Sequence, residues 1–307
     1  MKRKTLITCV AAAGLGAGLL AWWSTAPRVD GRLSVPAQSS SPRDASMADR
    51  IVGSGARTAT RPALLPGRFD AQRAELEARA ADGDAAAAYR LGEVIALCLD
   101  YRPMPAGEFT AMLARLVAGV GKAARFGEEP LDSETTIDLF LFAYEEAERI
   151  CDQTDGLRAN PPTQDAFHWI SRAAASGHPM AMARYGDVAF KPFKETAELL
   201  DNAAEVARRR ELTRAYAERA LRAGEPAALL ALAKGHSAEG ILEPDPVRAL
   251  SYWLAYRQTA AAKRLPAAML RMGEEKAAAG MSSSARALAE REAQRLLSVV
   301  EPNGATR

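Results

Sequence analysis

One register, counted from a turn, recurs along this chain and constrains its fold more than any other feature. Gly83, Gly177, Gly224 and Arg264 are set as equivalent turn positions. Eight residues before the turn stand Trp169, Tyr216 and Tyr256, and four and three before it Ala173-Ala174, Ala220-Leu221 and Ala260-Ala261. Two after it come Pro179, Pro226 and Pro266, which suit the first turn of a helix. Four after it come Ala87, Ala181, Ala228 and Ala268, and then the pairs Leu91-Gly92, Tyr185-Gly186, Leu232-Ala233 and Met272-Gly273. The pattern is helix, turn, helix, with small residues where the two axes must approach closely. Each pair has an apolar face that its own helices cannot cover, so pairs are expected to stack. The expected fold class is all-α, an α/α solenoid of helical pairs.

The stretch Ala166–Gly186 is the best-formed junction, with Ala166-x-x-Trp169, Ala173-Ala174-x-x-Gly177 and Ala181-x-x-x-Tyr185-Gly186. A further copy reads Gly240-Ile241, Asp245, Arg248-Ala249 and Tyr252-Trp253. These motifs resemble the Sel-one-like repeats, relatives of the tetratricopeptide repeat. The resemblance covers Asp70–Leu99 and Asp165–Ala279. It implies an interaction scaffold rather than a catalyst, and relatives with bridged repeats carry two cysteines in each unit, which this chain does not.

The chain divides by composition. Met1-Lys2-Arg3-Lys4 precedes the uncharged run Thr5–Trp23, just long enough to span a bilayer, so residues 1–26 read as a signal anchor or cleaved export signal. The positive start predicts a cytoplasmic N-terminus, with the remainder in the periplasm of a bacterium. Gly14 and Gly18 are a small-residue pair that would suit anchor dimerisation, though ordinary signal-segment composition accounts for them. Residues 27–66, rich in Ser, Pro, Gly and Arg, read as a disordered linker with a mean reach of roughly 35 Å. Residues 67–301 read as the repeat domain.

Within that domain the spacing predicts helices over Phe69–Ala81 and Ala85–Leu99. It also predicts Glu108–Arg125, Ser133–Cys151 (Ser133 opening the helix) and a final helix Ser282–Val300. Residues 103–162 lack the motif, and Gly83 to Gly177 is twice the interval from Gly177 to Gly224. An atypical helical insertion, an extra degenerate pair, is expected there, with Asp152–Thr163 as a loop. Glu195–Ala223 is long for one repeat helix and reads either as one extended helix or as two broken near Arg208-Arg209-Arg210.

Of three cysteines, Cys9 lies in the apolar N-terminal run, leaving Cys98 and Cys151. Outside the cytoplasm a bridge between them is expected, contributing about 4 kcal/mol by loop closure. Two buried, reduced thiols are the alternative.

With 40 basic and 38 acidic residues the chain carries no nucleic-acid footprint. His168, His178 and His236 lack Cys/His or HExxH spacing, so no metal site is expected. Glu145, Glu146 and Glu148 read as a solvated helix face rather than an acid–base pair. No nucleophile, base and orienting group assemble, so no catalytic residue, cofactor or small-molecule substrate is expected. Arg90, Arg184 and Arg271 occupy one register position. As a ladder on the inner helices they would suit a carboxylate-bearing partner; as ordinary surface arginines they would lay their stems over neighbours. Arg208-Arg209-Arg210 with Arg214 form a second basic cluster with the same two readings. The function expected is a non-enzymatic envelope scaffold or adaptor, held at the inner membrane, that binds a protein or peptide. The alternatives are an inhibitor or immunity protein against an exported toxin, and an envelope enzyme with its pocket in residues 103–162.

Overall fold

Three of the four turn positions adopt backbone that only glycine enters without cost. Gly83, Gly177 and Gly224 have φ of +91°, +85° and +79°. Each closes a helix with the paired bonds of a Schellman motif. Gly83 N–H donates to Ala80 O (3.1 Å) and Asp84 N–H to Arg79 O (2.9 Å), with the same pairs at Gly177-His178 and Gly224-Glu225. The next residue then opens the following helix in two cases. The Asp84 carboxylate accepts from Ala86 and Ala87 N–H while pairing with Arg79 at 2.7 Å. His178 caps the other helix through Nδ1.

The computed structural model describes residues 69–120, 125–126, 129–130, 133–193 and 195–300. The segments expected at 1–26 and 27–66 lie outside the described residues. The described chain is all-α, with thirteen α-helices and one antiparallel pairing of two-residue strands. The helices are α1 (Phe69–Ala81), α2 (Ala85–Cys98), α3 (Ala106–Val120), α4 (Glu134–Cys151), α5 (Asp155–Ala159), α6 (Ala166–Ala175) and α7 (Pro179–Ala189). They continue with α8 (Thr196–Asp201), α9 (Ala203–Arg222), α10 (Ala227–Gly235), α11 (Pro246–Arg257), α12 (Ala267–Ala278) and α13 (Ser283–Val300). A 3-10 turn, Ala262–Arg264, joins α11 to α12. The strands are β1 (Arg125–Phe126) and β2 (Glu129–Pro130). Among the described residues no helix is long and apolar enough to cross a membrane.

The hairpins α1–α2, α6–α7, α9–α10 and α11–α12 pack against one another in order. The most extensive contacts join α2 to α6, α7 to α9, and α11 to α13. Small residues make the approach possible. Ala87, Ala173, Ala174, Ala181, Ala220 and Ala228 are wholly buried. A β-carbon at Gly92 would lie 2.5 Å from Ile170 of α6.

Four expectations are corrected. Arg264 is not a turn of the same kind, because it lies in a 3-10 helix without positive φ. In that copy Ala260 is exposed and Ala261 and Ala268 only half-buried, so the small positions there do not form a tight junction. The region Glu195–Ala223 breaks at Asn202 into α8, opened by a Glu195–Glu198 capping box, and α9, which runs unbroken through Arg208-Arg209-Arg210. The helix expected to reach Arg125 stops at Val120, with Arg125 in β1. Asp152–Thr163 is not all loop, since α5 lies within it.

The insertion enters between α2 and α6, two helices that are direct packing partners. Its helices α3 and α4 are therefore not an extra pair in the stack. Helix α4 instead packs on α2 and also touches α12. Cys98 and Cys151 are joined by a disulfide, with Cα atoms 5.4 Å apart, tying the end of α2 to the end of α4. Helix α5 docks on α1, where Gly156 N–H donates to the Asp70 carboxylate at 2.6 Å.

Candidate functional site

Seven residues after the turn the register carries Arg90 on α2 and Arg184 on α7. Ten after it, one helical turn further, it carries Glu93, Asp187 and Lys234. Since residues three apart share a helix face, packing α2, α7 and α10 side by side brings these five into one row. Arg90 donates to Glu93 Oε2 at 3.1 Å and the Tyr89 hydroxyl to Glu93 Oε1 at 2.7 Å. Arg184 reaches Glu93 Oε1 at 3.5 Å and Asp187 at 3.7 Å. Lys234 donates to Asp187 Oδ1 at 3.2 Å. The row knits three helices together through alternating charge.

Apart from Lys234, which is exposed, its members are largely withdrawn from solvent. Burial pushes the Tyr89 phenol well above the ordinary tyrosine range, with Glu93 adding to the shift and Arg184 opposing it. The Tyr89 ring stacks on His178 with centroids 4.8 Å apart. Lys191, at the end of α7, borders the same gap as Glu93, Arg184 and Asp187. Loss of solvent lowers its ammonium pKa, Arg184 and Lys234 lower it further, and Asp187 and Asp100 pull the other way.

Of the three register arginines, the structure brings Arg90 and Arg184 together on one carboxylate. Arg271 stands apart on α12, pairing with Glu275 at 4.0 Å and half exposed. The second basic cluster is heavily paired. Glu205 accepts from both Arg208 and Arg209 at 2.7 Å, which pulls its carboxyl down to about 2. Arg209 also lies over the Phe167 ring at 4.0 Å, and Arg214 pairs with Glu211 and Glu218.

Beyond Lys234 the row opens into a cleft of about 250 Å³ between α10, α11 and α12. Leu230, Ala233, Pro246, Ala249 and Trp253 line it, with Lys234, Glu239 and Lys276 at its rim. Trp253 is fixed twice. Its Nε1–H donates to Leu270 O at 3.1 Å, and its ring edge fills the space that a side chain at Gly273 would take. Lys276 pairs with Glu239 at 2.9 Å. The cleft offers shape and apolar surface, with charge at its border.

His236, His168, Glu146 and Glu148 each have a structural partner. His236, buried, bonds through Nδ1 with Glu243 O at 2.9 Å. His168 meets the Trp169 ring edge-on. Glu148 accepts from the buried Tyr101 hydroxyl, Glu146 pairs with Arg149 at 2.6 Å, and Glu145 is exposed. Among the described residues no group of three or more His, Cys, Asp or Glu is placed to hold a metal ion.

The sequence reading missed Glu93, Asp187 and Lys234, although the same register carries them one helical turn past the arginines. It also missed the cleft, because the seating of Trp253 of α11 against Gly273 of α12 is a tertiary contact that the register does not carry. Compared with protein-family models, with curated proteins and with solved structures, the chain gives no match.

Proposed function

We propose that this chain is a non-catalytic binding protein, a helical-repeat solenoid of Sel-one-like character that holds a protein or peptide partner. The observation that carries the reading is the open cleft on α10, α11 and α12. A rigid aromatic wall with an apolar floor and a charged rim is the anatomy of an anchor-residue pocket. The neighbouring row supports it, since its polar groups bond one another rather than converging on an empty point, as a catalytic set would. The cleft also lies outside residues 103–162, where the alternative reading as an envelope enzyme would have its pocket.

The same proposal puts residues 1–26 in the inner membrane as an anchor and the helical domain in the periplasm. The charged start before an apolar run supports this, as does a disulfide, which persists in oxidising compartments.

Photo-crosslinking from the full chain in intact cells tests the binding reading. A photoreactive side chain at position 230 or 277 should give a discrete adduct, and one on the outer face of α9, at position 215, should not. Adducts from position 215 alone would move the binding surface away from the cleft and overturn the assignment.

A further inference from the structure

We infer that the cleft and the charged row form one continuous site for an acid-rich peptide segment bearing a single apolar anchor residue. This rests on the binding role proposed above and names the chemistry of the partner. Lys234 is the join, because it pairs with Asp187 in the row and lines the cleft as well. A segment seated by an aliphatic or aromatic side chain beside Trp253 therefore passes Lys234 as it leaves the cleft toward α7.

The charge balance there selects the sign of the partner. Among the described residues four cations, Arg90, Arg184, Lys191 and Lys234, border the two carboxylates Glu93 and Asp187. Asp100 contributes one further negative charge near Lys191 and does not cancel the excess. From α4, Arg149 faces Glu93 but is already paired with Glu146. On the far rim Lys276 and Glu239 offset each other. Glu93 accepts from three donors and Asp187 is flanked by two cations, so their negative charge is spent internally. Incoming carboxylates meet Lys191 and Lys234, whereas incoming lysines or arginines meet like charge. Such rim complementarity sets partner choice and salt dependence more than affinity.

Selection of a displayed random-peptide library on the full-length, detergent-solubilised protein tests the inference. The expected winners carry Asp or Glu beside one aliphatic or aromatic residue. Their binding should fall about tenfold with Lys191→Glu/Lys234→Glu together, roughly the worth of two exposed ion pairs. The reversed protein should then favour the same peptides rewritten with lysine, a rescue that a merely unfolded variant cannot give. Ala238→Trp, an exposed change at the cleft wall, should abolish binding by both proteins. Winners that lack acids yet are lost with Ala238→Trp would leave the binding role standing and overturn the acidic partner. Absence of any enrichment, or winners indifferent to Ala238→Trp, would sink both. Concentration-dependent self-association abolished by Ala238→Trp would make a second copy the occupant, and overturn the inference as well.

Discussion

Gly273 lies so close to the indole of Trp253 that a β-carbon there would fall 2.0 Å from Cζ2. Both residues sit at contacts between α11 and α12, and together they shape one wall of the cleft. Intrinsic propensity favours alanine over glycine in a helix by about 1 kcal/mol. The clash should reverse that sign. Gly273→Ala is expected to cost about 1–3 kcal/mol, read as a lower urea midpoint. Gly107→Ala in α3, where an added methyl meets nothing within 4 Å, should not be destabilising. A stabilised Gly273→Ala would show that the indole moves freely.

The turns give a paired prediction. Gly177→Ala places a β-carbon in left-handed backbone and should cost about 1 kcal/mol. Arg264→Gly, at the position aligned with it, should bring no gain, because Arg264 lies in a 3-10 turn. Thermal denaturation of the two single variants separates these outcomes.

Glu93 accepts from Tyr89, Arg90 and Arg184, and all four side chains are largely sheltered. Glu93→Gln removes one of the groups that offset the Arg184 charge, alongside Asp187, and should cost about 2 kcal/mol. Arg208→Ala, which breaks an exposed pair, should change stability by no more than about 0.5 kcal/mol. If Glu93 and Arg184 are coupled, the double variant Glu93→Gln/Arg184→Met will cost less than the sum of its parts.

A pH dependence follows from His178. Burial lowers its pKa below the ordinary imidazole value, with Glu93 and Asp84 opposing. The folded form therefore resists a proton that the unfolded chain takes up from about pH 6.5 downward. Its contribution to stability is complete above that pH and declines as pH falls toward the lower folded value. Protonation at Nδ1 also removes the acceptor for Ala181 N–H. Thermal midpoints of the native chain should drop between pH 7.5 and 5.5 more than those of His178→Asn, which keeps a cap and loses the proton. Equal drops would remove His178 from the account.

Cys98 and Cys151 are buried as well as joined. Full-length protein carrying Cys9→Ser should show no reactive thiol, and should resist reductant until urea opens the domain. Free thiols in native, unreduced protein would exclude the bridge.

These residues also mark where reading the sequence succeeds and where it stops. Helix ends at Gly83, Gly177 and Gly224 were legible because left-handed backbone and Schellman bonds demand glycine. The bridge was legible because only two cysteines remain outside the N-terminal run. Arg264 was aligned on neighbours of the right type, but side-chain type does not report φ. At the break the Asn202 side chain donates back to Glu198 O at 2.8 Å, a local bond that competes with helix continuation and that composition alone does not announce. Glu93, Asp187 and Lys234 form a row only when α2, α7 and α10 lie side by side, a tertiary fact that single-helix periodicity does not carry. The direct seating of α2 on α6, past three intervening helices, is of the same kind.

That seating sets an order of events during folding. The hairpins α6–α7, α9–α10 and α11–α12 close over a few residues each, whereas α2 must find α6 across the whole insertion. Closing a longer loop costs more chain entropy, and contacts distant in sequence form more slowly. The carboxy-terminal hairpins should therefore acquire protection from hydrogen exchange first, with α1 and α2 joining late. Oxidation of Cys98 with Cys151 shortens that search by bringing the end of the insertion back to α2. The disulfide should therefore speed docking of the first hairpin.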